Sequence, residues 1–507
     1  MPKLPMRTVV LLMLVGLIGS GCANFGADPT PVISSQAQPD TTAIAWTSEI
    51  VADQVPARGN LQRTGEYPDS GDAAPQLSQV LWSSPYYVSM RAGPVVADGT
   101  VIFTVSEYHD DNLYAVDATT GKEKWRASTI PNMEPKVADG VLFYLGTDGL
   151  HAVEIKTQHE KWVFAKADRG TSTPLIGGGL AYFGVGDGSV YAVDVETGTS
   201  KWSVKTPTAE YSAKYGNLSG ELVLVGGTLF VTTIGGDLFA FDASTGAQRW
   251  RLKAGDGGAR QLAVWGDKLY FSAAKYLYPE EAARQLTATP DMSAGFYEPV
   301  SPSMQNGIYA VNMQNGQEIW KVEPPKSEAV PLGYPHEGGL NTPIVFDGVV
   351  YSVGQLAYDS EPGSVYAFDA ASGKQLWQKA LPTELWQDSL AASDGLLFVT
   401  GIPAYPSADG APLYALDAKT GEEKWTFRQG AYLAKPLISN GILYTASRMN
   451  QRGKLYAIDA RSGNEIRSIA LQGGGVSDGD ALVLRGDTIY MRITDLDVPG
   501  DQLIAVK

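Results

Sequence analysis

The 507-residue chain repeats one stretch almost to its end, and that repeat limits the available folds more than any other feature. LYAVDATTGKEKW, Leu113 to Trp125, returns at 150–162, 190–202, 238–250, 308–320, 365–377, 413–425 and 455–467. An acidic or amide residue recurs at Asp117, Glu154, Asp194, Asp242, Asn312, Asp369, Asp417 and Asp459. Eight residues after each stand Trp125, Trp162, Trp202, Trp250, Trp320, Trp377 and Trp425, with Arg467 closing the series. Chance does not hold one spacing through eight copies.

Each copy has a physical reading. Tyr-Ala-Val-Asp alternates large and small residues with the period of two of a buried strand. Thr-Gly or Ser-Gly then supplies a tight turn, and the run into tryptophan is the returning strand. Seven of the 11 tryptophans occupy this one position, so their role is common to the copies, and packing is the expected one. An indole buries roughly 150–250 Å² and its N–H needs an acceptor, which the nearby Asp, Asn or Glu is placed to supply.

A second hairpin precedes each copy. Its turns read Asp98-Gly99, Asp139-Gly140, Gly177 to Gly179, Gly226-Gly227, Gly266-Asp267, Asp347-Gly348, Asp394-Gly395, Asn440-Gly441 and Gly486-Asp487. One unit is therefore four antiparallel strands, A to D. Units 37, 40, 48, 70, 57, 48 and 42 residues apart suit propeller blades better than helical solenoids. Trp82 ends a D strand with no A to C before it, and 481–507 supplies A to C with no D after it. Joining them leaves no open edge. The expectation is an all-β chain with a single propeller over 79–507. It has eight full repeats plus one blade shared by the termini: nine blades by its turns, eight by the usual upper size.

At the N-terminus, Lys3 and Arg7 precede an apolar run, Val9 to Ile18, then Gly19, Ser20, Gly21 and Cys22. This reads as a signal peptide over 1–22. Cys22, the only cysteine, resembles the acylated cysteine of bacterial lipoproteins, although Gly19 stands where that family usually has Leu. Residues 23–78, rich in Pro, Ala, Ser, Gln, Asp and Thr, read as a tether and N-terminal extension.

The A–B and C–D turns fall on one face of a propeller, and the B–C and D–A connections on the other. Length variation collects on the second face, in a B–C insertion (275–307) and a D–A loop (323–341). Tyr86, Tyr108, Tyr211, Tyr215, Tyr278, Tyr334, His336, Trp386 and Tyr432 fall there, making it the candidate binding face.

The pattern A-x-D-x-x-T-G-x-x-x-W, met by Ala115, Asp117, Thr120, Gly121 and Trp125, resembles the tryptophan-docking repeat of the pyrroloquinoline-quinone (PQQ)-type propellers. That superfamily holds quinoprotein dehydrogenases and the non-catalytic B-subunit lipoproteins of the outer-membrane barrel-assembly machinery. Fold alone does not choose between them. The dehydrogenases' disulfide of adjacent cysteines and their relatives' Cys-x-x-Cys-His have no counterpart here, and the four histidines lack zinc-ligand spacing. The resemblance therefore implies an exported, membrane-anchored scaffold for envelope proteins or peptides in periplasm or on the cell surface, expected to be monomeric. No catalytic residue, metal or cofactor is expected. A PQQ-dependent dehydrogenase using Ca²⁺, and a ligand sensor or solute-binding module, are the alternatives. Net charge −16 argues against nucleic acid as a ligand and leaves the lipid as the only membrane contact.

Overall fold

A computed structural model describes residues 74–84, 94–106, 111–128, 133–165, 170–207, 218–255, 258–259, 261–277, 303–323, 337–355, 363–402, 410–430, 432–448, 453–471, 482–494 and 501–507. Cys22 and the whole signal region lie outside them, as does nearly all of the 23–78 extension. The described strands form nine antiparallel four-stranded blades in a ring, so the turn count holds over the usual upper size of eight.

Blade 1 shows the plan: A is Val95–Ala97, B Thr100–Ser106, C Asp111–Asp117 and D Glu123–Ala127. The A strands of successive blades are neighbours around the axis, as Val95–Ala97 is to Lys136–Ala138. Strands B and C are buried almost throughout, while D alternates, as the period of two requires of an outer strand. Blade 9 takes A to C from Val483–Arg485, Thr488–Thr494 and Asp501–Val506, and its D strand from Val80–Ser83. The two ends of the described chain thus share one sheet, and no blade is left a strand short.

Side chains meet in lateral rows. In blade 5, Ala263, Tyr270, Ala310 and Trp320 stand opposite one another across the four strands. The small residue on strand C leaves room for the aromatic on B and the indole on D, whose centroids lie 5.8 Å apart. Row packing of this kind fills the wedge between blades, so the core is divided among the blade boundaries. Val223, Phe230 and Trp250 of blade 4 meet Leu269, Phe271 and Val311 of blade 5, for example.

Blades 5 and 6 depart from the plan. Strands B and C of blade 5, Lys268–Leu277 and Ser303–Asn312, run on for ten residues each, so the insertion at 275–307 begins and ends as paired ribbon. Glu337–Leu340, within the long D–A connection, pairs parallel with Met304 to Asn306 of blade 5 and antiparallel with Gly354 and Gln355 of blade 6. These two blades become one nine-stranded sheet.

Candidate binding face

The turn face explains why the repeat needs its residue types. Asp117 Oδ1 accepts the N–H groups of Thr119 and Thr120 and the Thr120 hydroxyl, which folds the C–D turn. Asp194, Asp242, Asp369, Asp417 and Asp459 hold their turns by the same oxygen. The carboxylate is thus spent on the turn and does not receive the indole. Each indole N–H instead donates across the blade boundary to a backbone carbonyl of the next C–D turn. Trp82 reaches Ala118 (2.9 Å), Trp125 Ile155 (3.3 Å), Trp162 Val195 (3.0 Å) and Trp202 Ala243 (2.9 Å). Trp250 reaches Met313 (3.1 Å), Trp320 Ala370 (3.0 Å), Trp377 Ala418 (3.0 Å) and Trp425 Ala460 (3.2 Å). The residue bearing that carbonyl also donates its own N–H to the A–B turn of its blade, as Ala118 does to Gly99 and Ala243 to Gly227. This end of the ring is stitched by repeated indole bonds to main-chain carbonyls, each carbonyl fixed by a main-chain bond within its own blade.

The long connections collect at the opposite end. Tyr86, Tyr108, Tyr211, Tyr215, Tyr278, Tyr334 and His336 all lie outside the described residues. Trp386 falls on strand A of blade 7, Glu384–Ser393, with only its backbone described. Tyr432 is half-buried in a two-residue strand that pairs with Arg448 and Ser447 of blade 8. The joined sheet of blades 5 and 6 sits at this end too, because its extra pairing begins where strands B and C run past the turn-side core.

Two charged clusters fix B–C turns here. His151 replaces the tyrosine of the repeat and stacks on Tyr144 at 4.7 Å. Its Nε2 lies 2.8 Å from Asp148 Oδ1 and its Nδ1 3.1 Å from Glu160 Oε2. The hydrogen bond from His151 holds the Asp148 carboxyl below its usual range, and burial, with Glu160 and Asp148 nearby, pushes the Tyr144 hydroxyl up to about 12. In blade 4 the buried Asp237 meets Arg251 at 2.9 Å and Lys253 at 3.5 Å. All three carboxylates are spent on local pairing. Among the described residues no three His, Cys, Asp or Glu side chains converge as metal ligands. Sequence reasoning missed both clusters. The signal for the first was a histidine at a position that elsewhere is Tyr or Phe.

Known proteins match this chain in the same terms. The family model described as outer membrane protein assembly factor BamB matches residues 72–273 and 305–497, leaving out nearly all of the blade 5 insertion. The BamB of Burkholderia pseudomallei is 24% identical over 66% of this chain and 85% of its own length. The serine/threonine-protein kinase AfsK of Streptomyces griseus is 28% identical over 26% of this chain and 18% of its own. Across that kinase, a tetrathionate hydrolase and a quinoprotein ethanol dehydrogenase, the chain spans only 12% to 39% of each relative's length. The crystal structure of BamB from Moraxella catarrhalis aligns with a TM-score of 0.44 at 14% identity, covering 85% of this chain and 99% of that one. With both halves of the propeller matched, the chain belongs to the family described as outer membrane protein assembly factor BamB.

Proposed function

We propose that this protein is a lipid-anchored scaffold of the cell envelope that holds partner proteins or peptides on the B–C and D–A face of its propeller. The observation that carries the reading is the family match over both halves of the ring. The division of the ring supports it: one end is tied by repeated indole and main-chain bonds, while the other carries the insertions and the sheet that joins blades 5 and 6. Cys22 supplies the anchor in this reading, and Tyr278, Trp386 and Tyr432 mark three parts of the contact surface. The protein needs no cofactor for such work.

Photo-crosslinking groups at Tyr278, Trp386 and Tyr432, set against the same group at Gly178 and Gly227 on the turn face, test the surface. Discrete adducts with envelope proteins from the first set alone support it, and equal adducts from both sets overturn it. Labelling with a fatty-acid probe, lost in Cys22→Ala, tests the anchor. Titration with PQQ and Ca²⁺ tests the dehydrogenase alternative: a saturable one-to-one shift in melting temperature would replace the scaffold reading, and no shift would leave it standing.

A further inference from the structure

Eight blade boundaries carry an indole laid on the next C–D turn, and the boundary between blades 8 and 9 does not. Arg467 holds the tryptophan position there, on strand Glu465–Ala470, and is exposed. The next C–D turn is also not a continuous piece of chain. Strand C of blade 9 leads to Lys507, and its D strand begins at Val80.

The segment ahead of Val80 rebuilds that turn without a covalent link. Lys507 N–H donates to Gln79 O at 3.1 Å, as Asp117 N–H donates to Lys122 O at 2.8 Å in blade 1. Ser78 N–H donates to Lys507 O, as Gly121 N–H donates to Asp117 O. Gln79 thus matches Lys122, Ser78 matches Gly121, and Pro75 matches Ala118. The match predicts that Pro75 O should receive a bond from blade 8, and it does, from the Tyr444 hydroxyl at 3.1 Å. Tyr182 reaches Ala243 O, and Tyr351 reaches Ala418 O, in the same way. Leu77, with φ 47° and 2% exposed, packs with Leu471, Leu482 and Ile504 where the indole contact is missing. Ser78 stands at the glycine position without a left-handed φ, which falls on Leu77 instead, and Arg467 lays no indole over it.

We propose that residues 74–83 form a strap that closes the ring, and that the boundary between blades 8 and 9 is where the ring opens first. The strap adds the four-residue D strand of blade 9, a rebuilt turn and Leu77; its departure also lifts the Trp82 indole from Ala118 of blade 1, but every blade keeps its own strands A to C. Every other C–D turn is tied covalently to both of its strands and is covered by an indole, so it cannot leave in this way.

Hydrogen exchange on the full chain tests this. Amides of Val80–Ser83 and Asp501–Val506 are expected to exchange about tenfold faster than their counterparts in Ser200–Lys205 and Ser189–Asp194 of blade 3, as expected for a unit that opens below the global transition. Equal protection in the two blades overturns the proposal. Leu77→Ala should speed exchange at the strap and leave blade 3 unchanged, whereas a uniform rise in all blades overturns it. Arg467→Trp combined with Ser78→Gly should install a ninth indole contact and bring strap exchange down to the blade 3 rate. No change in that variant also overturns the proposal.

Discussion

The boundary between blades 3 and 4 and the boundary between blades 1 and 2 carry the same indole under different conditions. At the first, Trp202 packs against Tyr182 at 5.9 Å, bonds Ala243 O at 2.9 Å and covers Gly246. A Cβ on Gly246, where φ is +73°, would stand 2.7 Å from Trp202 Cδ2. At the second, Trp125 is buried to the same 8% exposure but has Ile102 in place of the aromatic. Gln158, at φ 62°, occupies the glycine position beneath it. Its bond to Ile155 O, at 3.3 Å, is the longest of the eight. The carboxylate differs as well: Glu154 bonds the Thr157 hydroxyl, whereas Asp242 also reaches the backbone of Ser244 and Thr245. The lesson is that the glycine serves the indole as much as the turn. The turn at Gln158 still closes, with its N–H on Glu154 O, but the indole above it is held less closely.

The comparison breaks most visibly at Trp202. Trp202→Ala should cost about 3–5 kcal/mol, the range for emptying a large aromatic site. Trp125→Ala should cost less, because that indole has already lost a ring partner and close contact. Urea denaturation of both variants checks this, and equal losses would remove the distinction between the boundaries. Trp202→Phe isolates the hydrogen bond, leaving the Ala243 carbonyl to Tyr182 alone, and should cost about 1 kcal/mol beyond the lost area. Next in size is Gly246→Ala. It combines a left-handed backbone penalty of about 1–2 kcal/mol with overpacking of about 1–3 kcal/mol, so a loss of about 2–5 kcal/mol is expected.

How far the sequence carries the fold follows from what spans a short stretch of chain. The eight residues from Asp117 to Trp125 are one hairpin, and its chemistry is local, so repeat, turn and blade count are legible. The indole's acceptor is not, since it lies across a blade boundary on a carbonyl that any residue could present. Ala, Ile, Val and Met all occur there. Glu337–Leu340 was hidden for a related reason: EGGL has no strand pattern, and its pairing is imposed by two long neighbours. Pro75 to Gln79 reads as linker because its partners are Lys507 and Tyr444, some 369 residues away in the second case. For the candidate face, the sequence shows where the connections lengthen. Only Tyr432 and the backbone of Trp386 have a described position among the aromatics expected there.

A smaller effect sharpens the comparison from the other side. Gln158→Gly should stabilise the protein by about 1 kcal/mol, because glycine adopts a positive φ freely and lets Trp125 approach. Thermal unfolding gives the magnitude, and tryptophan fluorescence should report a changed environment at Trp125. If stability falls instead, the close approach at Gly246 and its counterparts is a consequence of the glycine and not its reason.

The smallest effect concerns the turn carboxylates. The Lys201 side chain bonded to Asp194 draws that carboxyl down to about 2, and the Arg249 side chain holds Asp242 lower still. Bonds from the Ser372 and Ser462 hydroxyls lower Asp369 and Asp459. At Asp117 and Asp417 slight burial pushes upward and is outweighed by bonds from Thr120 and Thr420. Since each folded value lies below the unfolded one of about 3.9, the contribution is complete above about pH 5 and fades as pH falls through the folded value. Asn312 makes the same turn with an amide that does not titrate, bonding the N–H groups of Gln314 and Asn315. Asp194→Asn should therefore keep its turn but lose the ion pair with Lys201 at 3.0 Å, lowering the melting temperature slightly at neutral pH. The gap to the unsubstituted protein should narrow steadily from about pH 5 to about pH 3. A gap that stays constant over that range would mean that the charge on Asp194 adds nothing beyond the turn bonds that an amide makes equally well.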